Sequence, residues 1–144
     1  MSTQDLNKKL VRRFIDDVLN GKNVEVLDEI IAEDYVDHAM PFGIPQTKEG
    51  FKTFVKAGLG VFPDVRVEMI DMVAERDLVI YFDNASGNQA VDYYDLKRTG
   101  KPVSWFEMHA FRVKGGKIIE HWALESIGLI SKADQANRAA AKKK

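Results

Sequence analysis

The chain has 144 residues, which suits a single domain, and its content of 45% hydrophobic and 30% charged residues is that of an ordinary globular protein. A net charge of −1 provides no overall field for nucleic acid or an anionic membrane, and the absence of cysteine excludes disulfides, a thiol nucleophile and thiolate metal sites. No apolar run approaches the roughly 20 residues that span a bilayer, and the N-terminus MSTQDLNKKLVRRF has no signal-peptide core, so we expect a cytoplasmic protein without nucleic-acid or membrane partners.

Three amphipathic helices are predicted in the first part of the chain. The first runs from about Gln4 to Asn20 and ends at Gly21, a suitable C-cap. Asn23 can cap a short second helix, and Thr47 can cap a third that runs to about Val61. The inward faces consist of Leu6, Leu10, Val11, Phe14, Ile15, Val18 and Leu19 in the first helix, Val24, Leu27, Ile30 and Ile31 in the second, and Phe51, Phe54, Val55 and Leu59 in the third.

The remaining segments are predicted to be mainly β. DYVDHAM, which follows the second helix, reads as a short strand, and PFGIPQT after it reads as a loop. Val65 to Glu75 alternates as a strand, Arg76-Asp77 forms a turn, and LVIYFDNAS is rich in branched and aromatic residues. QAVDYYDLKR is a candidate strand within a segment that has no clear period. The order of helices first and strands afterwards predicts an α+β domain with the helices on one side of a curved sheet.

The domain is expected to cover residues 1–130. The remaining segment, 131–144, reads SKADQANRAAAKKK and has no apolar face to bury. We therefore predict that this polar tail is a frayed helix or disordered.

The two longest strands are predicted between Trp105 and Ile130, on either side of Lys114-Gly115-Gly116. A two-residue Gly-Gly loop would place Lys114 opposite Lys117, whereas a three-residue loop with Gly116 in a bulge would place Val113 opposite Lys117. The second register is preferred because it avoids two directly opposed lysines. It pairs Phe111 with Ile119, His109 with His121, Glu107 with Ala123, and Trp105 with Glu125.

Alternation along this hairpin separates two different faces. One face mixes aromatic and titratable groups, as a ligand pocket does, and consists of Trp105, Glu107, His109, Phe111, Ile119, His121, Ala123 and Glu125. The other is largely apolar and needs to be covered, for example by another subunit; it consists of Phe106, Met108, Ala110, Arg112, Ile118, Glu120, Trp122 and Leu124.

Four residues of the mixed face are candidates for acid/base catalysis. His109 ranks first, because an imidazole with a pKa near neutrality takes or gives a proton at cellular pH. Glu125, if apolar groups enclose it, would have a raised pKa, and Glu107 needs a partner or becomes protonated. His121 would lie beside His109, but no spacing fixes a third ligand, so no metal is expected. The chain has no GxGxxG, Walker loop or nucleophile elbow, so no cofactor or covalent chemistry is expected either.

Several short motifs occur along the chain in an order and spacing that can be compared with those of known families. VRRF and NGK occur in and after the first helix, EDYVDH follows the second, and FPDVRV, RDLVIYF, TGKPVSW and FRVKGGKIIEHW come later. In this order and spacing they resemble the SnoaL-like polyketide cyclases, within the nuclear-transport-factor-2-like superfamily. The resemblance runs from about Leu6 to Ile130.

This resemblance implies a cone, in which a strongly curved, mostly antiparallel sheet surrounds an apolar cavity that three N-terminal helices close. It also implies a homodimer through the outer sheet face, which fits the apolar strip of Phe106, Met108, Ala110, Trp122 and Leu124. The cyclases use an aspartate on the last strand as acid/base, with a histidine on the preceding strand; these positions fall on Ala123 and His109. Glu125, one pleat beyond Ala123, could replace that aspartate.

The resemblance also indicates which residues would contact a ligand. Asp37 and His38 lie where members of the superfamily often line the cavity mouth. The further candidates for the cavity wall are Phe14, Tyr35, Phe54, Tyr81, Trp105 and Ala123.

The leading hypothesis is cofactor-free acid/base catalysis of the cyclase, isomerase or lyase type on a small apolar carbonyl or polyketide-like compound. His109 would act together with Glu125 or Glu107. One alternative is a non-catalytic protein that binds a small apolar ligand, which Ala123 at the acid/base position favours. The other is a dimeric association domain without a ligand.

Overall fold

The computed structural model of the protein describes residues 1–93, 96–127 and 140–141. The helices are α1 (Thr3–Arg13), which continues as a π-helix over Phe14–Asn20, α2 (Leu27–Ile30), which follows a 3-10 turn at Val24–Val26, and α3 (Lys48–Val61). The strands are β1 (Ile31–Asp37), β2 (Arg66–Glu75), β3 (Leu78–Gly87), β4 (Val103–Lys114) and β5 (Lys117–Glu125). This confirms the predicted α+β class. None of the described helices combines the length and apolar character needed to cross a membrane.

The five strands form one mixed sheet in the order β1-β5-β4-β3-β2. β1 runs parallel to β5, and all other neighbours are antiparallel. The helices cover one face of this sheet, which we call the inner face. The Phe14 ring lies 5.6 Å, between centroids, from both Phe51 of α3 and Phe111 of β4, so one aromatic cluster joins the helices to the sheet.

The helix ends agree with the sequence signals in most places. The Thr47 hydroxyl accepts a hydrogen bond from the Gly50 amide at 3.1 Å, as predicted for a cap. A β-carbon on Gly21 would lie 2.4 Å from the Asp17 carbonyl oxygen, so only glycine fits there. Two details were wrong. Among the described residues the Asn23 side chain makes no capping hydrogen bond, and Leu6 is 55% exposed rather than inward.

The predicted register of the β4–β5 hairpin was wrong, because the structure has the two-residue loop and not the preferred three-residue one. Gly115 and Gly116 are both left-handed, with φ of 58° and 75°, and they form the two-residue loop that places Lys114 opposite Lys117. A bulge follows at once, because Val113 pairs with Ile118 and Arg112 with Glu120, leaving Ile119 as the extra residue. His109 is therefore opposite Ala123, Phe111 is opposite His121, and Glu107 is opposite Glu125.

The error in register is two residues, an even number, so the side chains beyond the bulge remain on their predicted faces. The exception is Ile118, which was assigned to the outer face and is fully buried in the core.

Two predicted segments differ from the structure or lie outside it. In the described part of QAVDYYDLKR there is no strand, only an isolated bridge between Tyr93 and Leu96; residues 94 and 95 lie outside the described residues. Most of the predicted polar tail, residues 131–139 and 142–144, also lies outside them, so its assignment stays a prediction.

Candidate active site

An apolar pocket of about 460 Å³ lies between the inner face of the sheet and the helices. This volume is within the usual range for small-molecule sites. Its walls combine aliphatic side chains with aromatic ones, which include Phe14, Phe51, Phe54, Phe62 and Trp105. The titratable side chains that reach it are His38, Glu107, His109, His121 and Glu125. A mainly apolar wall with a few clustered polar groups is typical of a site that binds and orients a small molecule.

Three acidic residues lie in a row across the inner face. Asp83 of β3 is directly opposite Glu107 of β4, which in turn is directly opposite Glu125 of β5. We call these residues the carboxylate row. Directly opposed side chains in a sheet have β-carbons only about 5 Å apart, and like charges there repel each other. The row therefore favours the uptake of protons by some of its members.

A chain of four side chains crosses this row at Glu107, and we call it the histidine chain. Asp37 Oδ2 lies 2.9 Å from His121 Nδ1, His121 Nε2 lies 2.9 Å from His109 Nδ1, and His109 Nε2 lies 2.8 Å from Glu107 Oε2. All four residues are buried. The histidine chain thus connects β1 to the pocket without a solvent gap.

Further hydrogen bonds fix both ends of the histidine chain. Asp37 accepts hydrogen bonds from the Tyr35 hydroxyl and from the Ala39 amide, the latter at 2.8 Å. Glu107 accepts one from the Trp105 indole N–H, also at 2.8 Å. Each oxygen of both carboxylates therefore has at least one hydrogen-bond partner.

The hydrogen bonds decide the charge at the pocket end of the chain. Burial alone would lower the pKa of His109, but its hydrogen bond to Glu107 and that residue's charge raise it above the ordinary value. Burial alone would raise the pKa of Glu107, but the hydrogen bonds from His109 and Trp105 and the charge of His109 bring it below its ordinary value. Both shifts favour the pairing of a protonated His109 with an ionised Glu107.

The other end shows the same competition. Burial would raise the pKa of Asp37, but the hydrogen bond and charge of His121, with the Tyr35 hydroxyl, lower it. Burial and the charge of His109 lower the pKa of His121, and the opposing effect of Asp37 is the smaller one.

The two outer members of the carboxylate row hold protons near neutral pH. Burial, and then the charge of Glu107, raise the pKa of Asp83 to about 7. The same two causes raise the pKa of Glu125 to about 7, although that residue as a whole is exposed at the end of β5. Glu107 is thus the ionised member of the row, with a neighbour on each side that gains or loses its proton near pH 7.

The structure brings most of the sequence-predicted residues to the pocket. The four predicted catalytic residues, His109, Glu125, Glu107 and His121, line it together with Phe14, His38, Phe54, Trp105 and Ala123. His38 lies at the rim, where its ring stacks on Trp122 at 4.7 Å and its Nε2 lies 2.8 Å from Glu120 Oε2. Whether these residues bind a ligand stays a prediction.

Three predicted wall residues lie behind the lining instead. Tyr35 and Asp37 are buried at the far end of the histidine chain. Tyr81 is fully buried, with its ring stacked on that of His109 at 4.9 Å, and within the described part of the chain its hydroxyl has no hydrogen-bond partner.

Sequence reasoning missed Asp83. The residue is 1% exposed, and neither of its carboxyl oxygens has a hydrogen-bond partner among the described residues. Alternation along LVIYFDNAS could have found it, because an inward Tyr81 implies that Asp83 also faces inward.

One group of described residues could hold a metal ion. Asp83, Glu107 and His109 each offer a donor atom, and these atoms lie within 4.8 Å of one another. Glu107 and His109, however, are already hydrogen-bonded to each other. The prediction of no metal and no cofactor stays a prediction.

Comparison with known proteins places this site in a family. The profile of the SnoaL-like polyketide cyclases matches residues 9–126. The protein IdmH of Streptomyces antibioticus, named as a candidate polyketide cyclase, has a similar structure with a TM-score of 0.74 and 25% identity, over 90% of this chain and 98% of that one. No curated protein matches the chain significantly.

Two more distant structures share the fold. A candidate polyketide cyclase from Acidithiobacillus ferrooxidans has a TM-score of 0.74 and 21% identity, over 95% of this chain and 99% of that one. A SnoaL-like polyketide cyclase from Agrobacterium tumefaciens has a TM-score of 0.73 and 16% identity, over 92% and 98%. The likeness covers nearly the whole of each chain, so the shared unit is the complete fold.

Proposed function

Because the chain belongs to the SnoaL-like polyketide cyclase family, we propose that its pocket performs cofactor-free acid/base chemistry on a small apolar carbonyl compound. The observation that carries this proposal is the direct opposition of Glu107 and Glu125 at the pocket. Two neighbouring carboxyl groups whose pKa values are pushed apart are suited to act as base and acid. The aromatic walls would hold the apolar body of the substrate.

Glu107 is the base in this proposal, and Glu125 is the acid. Glu107 takes a proton from the carbon next to the substrate carbonyl, while Glu125 gives its proton to the carbonyl oxygen. The products of this step are an enol, a protonated Glu107 and an ionised Glu125, so protons and charge balance. Return of the proton to a different carbon isomerises the substrate, and attack of the enol carbon on a second carbonyl closes a ring.

His109 supports Glu107 from behind. Its hydrogen bond at 2.8 Å orients the carboxylate, and its positive charge keeps Glu107 ionised between turnovers. His109 also lines the pocket, so in this proposal it lies within reach of a bound substrate.

The test is proton exchange in a simple probe, 2-tetralone, an apolar ketone with acidic hydrogens next to its carbonyl. In D2O the protein should catalyse deuterium incorporation at that carbon, followed by NMR or mass spectrometry. Glu107→Gln and Glu125→Gln should each reduce the rate by about 10²- to 10⁴-fold, the usual contribution of a positioned acid or base. His109→Gln should abolish exchange while the protein stays folded.

The control and the pH profile make this test sharper. Glu120→Gln removes a carboxylate of β5 that pairs with His38 and Arg112, and it should leave exchange unchanged. The rate should fall as the pH rises through about 7, because Glu125 then loses the proton it must donate. Full activity in both Glu107→Gln and Glu125→Gln would exclude the proposal.

A second function, binding without catalysis, is favoured by Ala123. This residue lies opposite His109 on the pocket wall and carries no titratable group. A binding protein would be stabilised by 2-tetralone, by about 2.7 kcal/mol at a concentration 100 times Kd, but would catalyse no exchange. A thermal shift with exchange at the uncatalysed rate would establish this alternative.

A further inference from the structure

The histidine chain has three hydrogen-bonded gaps, and each gap needs one proton. Two neutral imidazoles between two carboxylates supply only two. If His121 Nδ1–H donates to Asp37 and His109 Nε2–H donates to Glu107, then two bare nitrogens face each other across the 2.9 Å gap between the rings. Lone pairs at that distance repel. Changing the tautomer of either ring only transfers the conflict to a carboxylate.

We propose that the histidine chain holds a third proton between its two imidazoles, and that Asp37 and His121 are positioning residues that set the charge on Glu107. The first half concerns the free protein only. The second half rests on the proposed function, because it assumes that Glu107 is the base.

The electrostatic surroundings support an added positive charge. The carboxyl groups that face the two rings are Asp37, Asp83, Glu107 and Glu125; the tyrosines next to the chain, Tyr35 and Tyr81, are neutral phenols with raised pKa values. With three ring protons the histidine chain carries two carboxylates and one imidazolium, a net charge of −1. The third proton therefore reduces the repulsion between negative charges. Burial by itself opposes the added charge by desolvating it, but the same low dielectric strengthens the hydrogen bonds and the carboxylate charges that hold the proton.

The third proton belongs mainly to His109. That ring lies nearest to the carboxylate row, and its pKa is raised while that of His121 is lowered. His109 then donates at both nitrogens, and His121 donates to Asp37 and accepts at Nε2. Every gap in the chain is satisfied by this arrangement.

The consequence for Asp37 is an effect at a distance. It does not reach the pocket, so it touches no substrate. The charge of Asp37 stabilises the imidazolium of His109, on the far side of His121. That imidazolium lowers the proton affinity of Glu107. Asp37 would therefore tune how readily Glu107 releases the proton that it has taken from a substrate.

The test counts ring protons by NMR in the full chain, treated with EDTA so that no metal ion can replace a proton. The chain has only three histidines, His38, His109 and His121, so nitrogen-15 labelling resolves every ring nitrogen. At pH 7 three of the four ring nitrogens of His109 and His121 should be protonated, and the bare one should be His121 Nε2. Two neutral rings at pH 7 would overturn the proposal.

Two variants should move the pH at which the third proton leaves, in opposite directions. Asp37→Asn removes the anion and should increase the acid dissociation constant of the ring pair about tenfold or more. Tyr35→Phe removes a hydrogen bond that competes for the same Asp37 oxygen, so Asp37 becomes a stronger acceptor and the proton should leave at a higher pH. Tyr35→Phe is conservative, so the proposal stays testable if Asp37→Asn does not fold. Shifts of the same sign in both would overturn it.

Glu120→Gln is the matched control. It removes the carboxylate partner of His38, an exposed histidine outside the chain, and should change the signals of His38 alone. A change at His109 or His121 of the size seen in Asp37→Asn would mean that the shifts are not specific to the chain, and would overturn the proposal.

Deuterium exchange in 2-tetralone tests the positioning role of Asp37 separately from the presence of the third proton. If Asp37 acts through Glu107, Asp37→Asn should move the low-pH limb of the rate profile to higher pH, because Glu107 then binds its own proton more tightly. A merely structural role would lower the rate at every pH without moving that limb, and would overturn the positioning role. If the wild-type protein catalyses no deuterium exchange in 2-tetralone, the proposed function is wrong. The proposed third proton is then still decided by the NMR count of ring protons alone.

Discussion

At the scale of one residue, Asp83 shows how the sheet accommodates a buried carboxyl group whose ionised form is unfavourable. The residue is 1% exposed and lies opposite the ionised Glu107, and its carboxyl group has no hydrogen-bond partner in the region that the structure describes. An isolated buried carboxylate would be very unfavourable, so the group takes up a proton instead. This is why its pKa rises from 3.8 to about 7. Its described neighbours include the Tyr81 hydroxyl, which also has no hydrogen-bond partner among them, and His109, whose charge favours the ionisation of Asp83.

Replacing Asp83 by Asn should stabilise the protein in a pH-dependent way. Between about pH 4 and pH 7 the folded state binds a proton that the unfolded state has lost, so the free energy of unfolding falls as the pH rises through this window. Asn is neutral at every pH, so in Asp83→Asn this position causes no fall in the free energy of unfolding as the pH rises. The stability of Asp83→Asn relative to the wild type should therefore increase by roughly 3 kcal/mol between pH 5 and pH 8, measured by urea unfolding.

The control for this prediction is Asp34→Asn, which changes an exposed aspartate of β1. Its effect should stay within about 0.5 kcal/mol at both pH values. If Asp83→Asn were equally insensitive to pH, then Asp83 would not be a protonated carboxyl group in the folded protein.

At the scale of the element, the β4–β5 turn determines which residues meet at the site. Both of its glycines are left-handed, a conformation that glycine adopts without steric penalty. The two-residue loop and the bulge after it together set the pairing of Glu107 with Glu125. A tight loop outweighs the repulsion between Lys114 and Lys117, because both lysines are exposed and solvent screens their charges.

Glycine-to-alanine changes should have opposite effects in the turn and in α3. Gly116→Ala should destabilise the protein by about 1 kcal/mol, because alanine is strained at a φ of 75°. Gly60→Ala, at an exposed position of α3 where an added β-carbon meets nothing within 4 Å, should stabilise it by about 0.5 to 1 kcal/mol. Thermal unfolding of both variants checks this, and stabilisation by Gly116→Ala would mean that the turn is not left-handed.

The sequence predicted the elements better than their pairing. Alternation assigns a side chain to a face, so Glu107, His109 and His121 could be placed on one side of the sheet. It gives no information about which residues lie opposite one another, and the bulge at Ile119 has no marker such as glycine or proline. The link from Asp37 to His121 depends on a parallel pairing of β1 with β5, which are more than 80 residues apart. No local pattern reports such a contact.

At the scale of the whole molecule, the outer sheet face is the feature that the described residues leave partly uncovered. Phe106, Met108 and Leu124 are 37%, 43% and 77% exposed on two adjacent strands. Trp122 and Ala110 are partly buried and lie directly opposite each other between them. Exposed apolar patches of this kind mark protein contacts. A homodimer through this face therefore remains our prediction.

Sedimentation should show a dimer whose dissociation depends on this face. Leu124→Glu and Met108→Glu would each bury an unpaired charge in the contact, and should raise the dimer dissociation constant at least about 100-fold. Leu6→Glu, at an equally apolar and 55% exposed position of α1, should leave it unchanged. A wild-type protein that sediments as a monomer would exclude the dimer.

The alternation of β4 also constrains how this protein can evolve. Every second codon from Trp105 to Phe111 specifies a side chain of the inner face, and the codons between them specify the outer face. Inserting or deleting one codon within β4 would exchange the inner and outer faces for all residues on one side of the change, which would turn pocket residues such as His109 outward and outer residues such as Met108 inward. Substitutions can thus adjust either face separately, whereas a change of length alters both at once. We expect descendants of this gene to differ in length in the irregular segment between β3 and β4 and to keep the length of β4 itself.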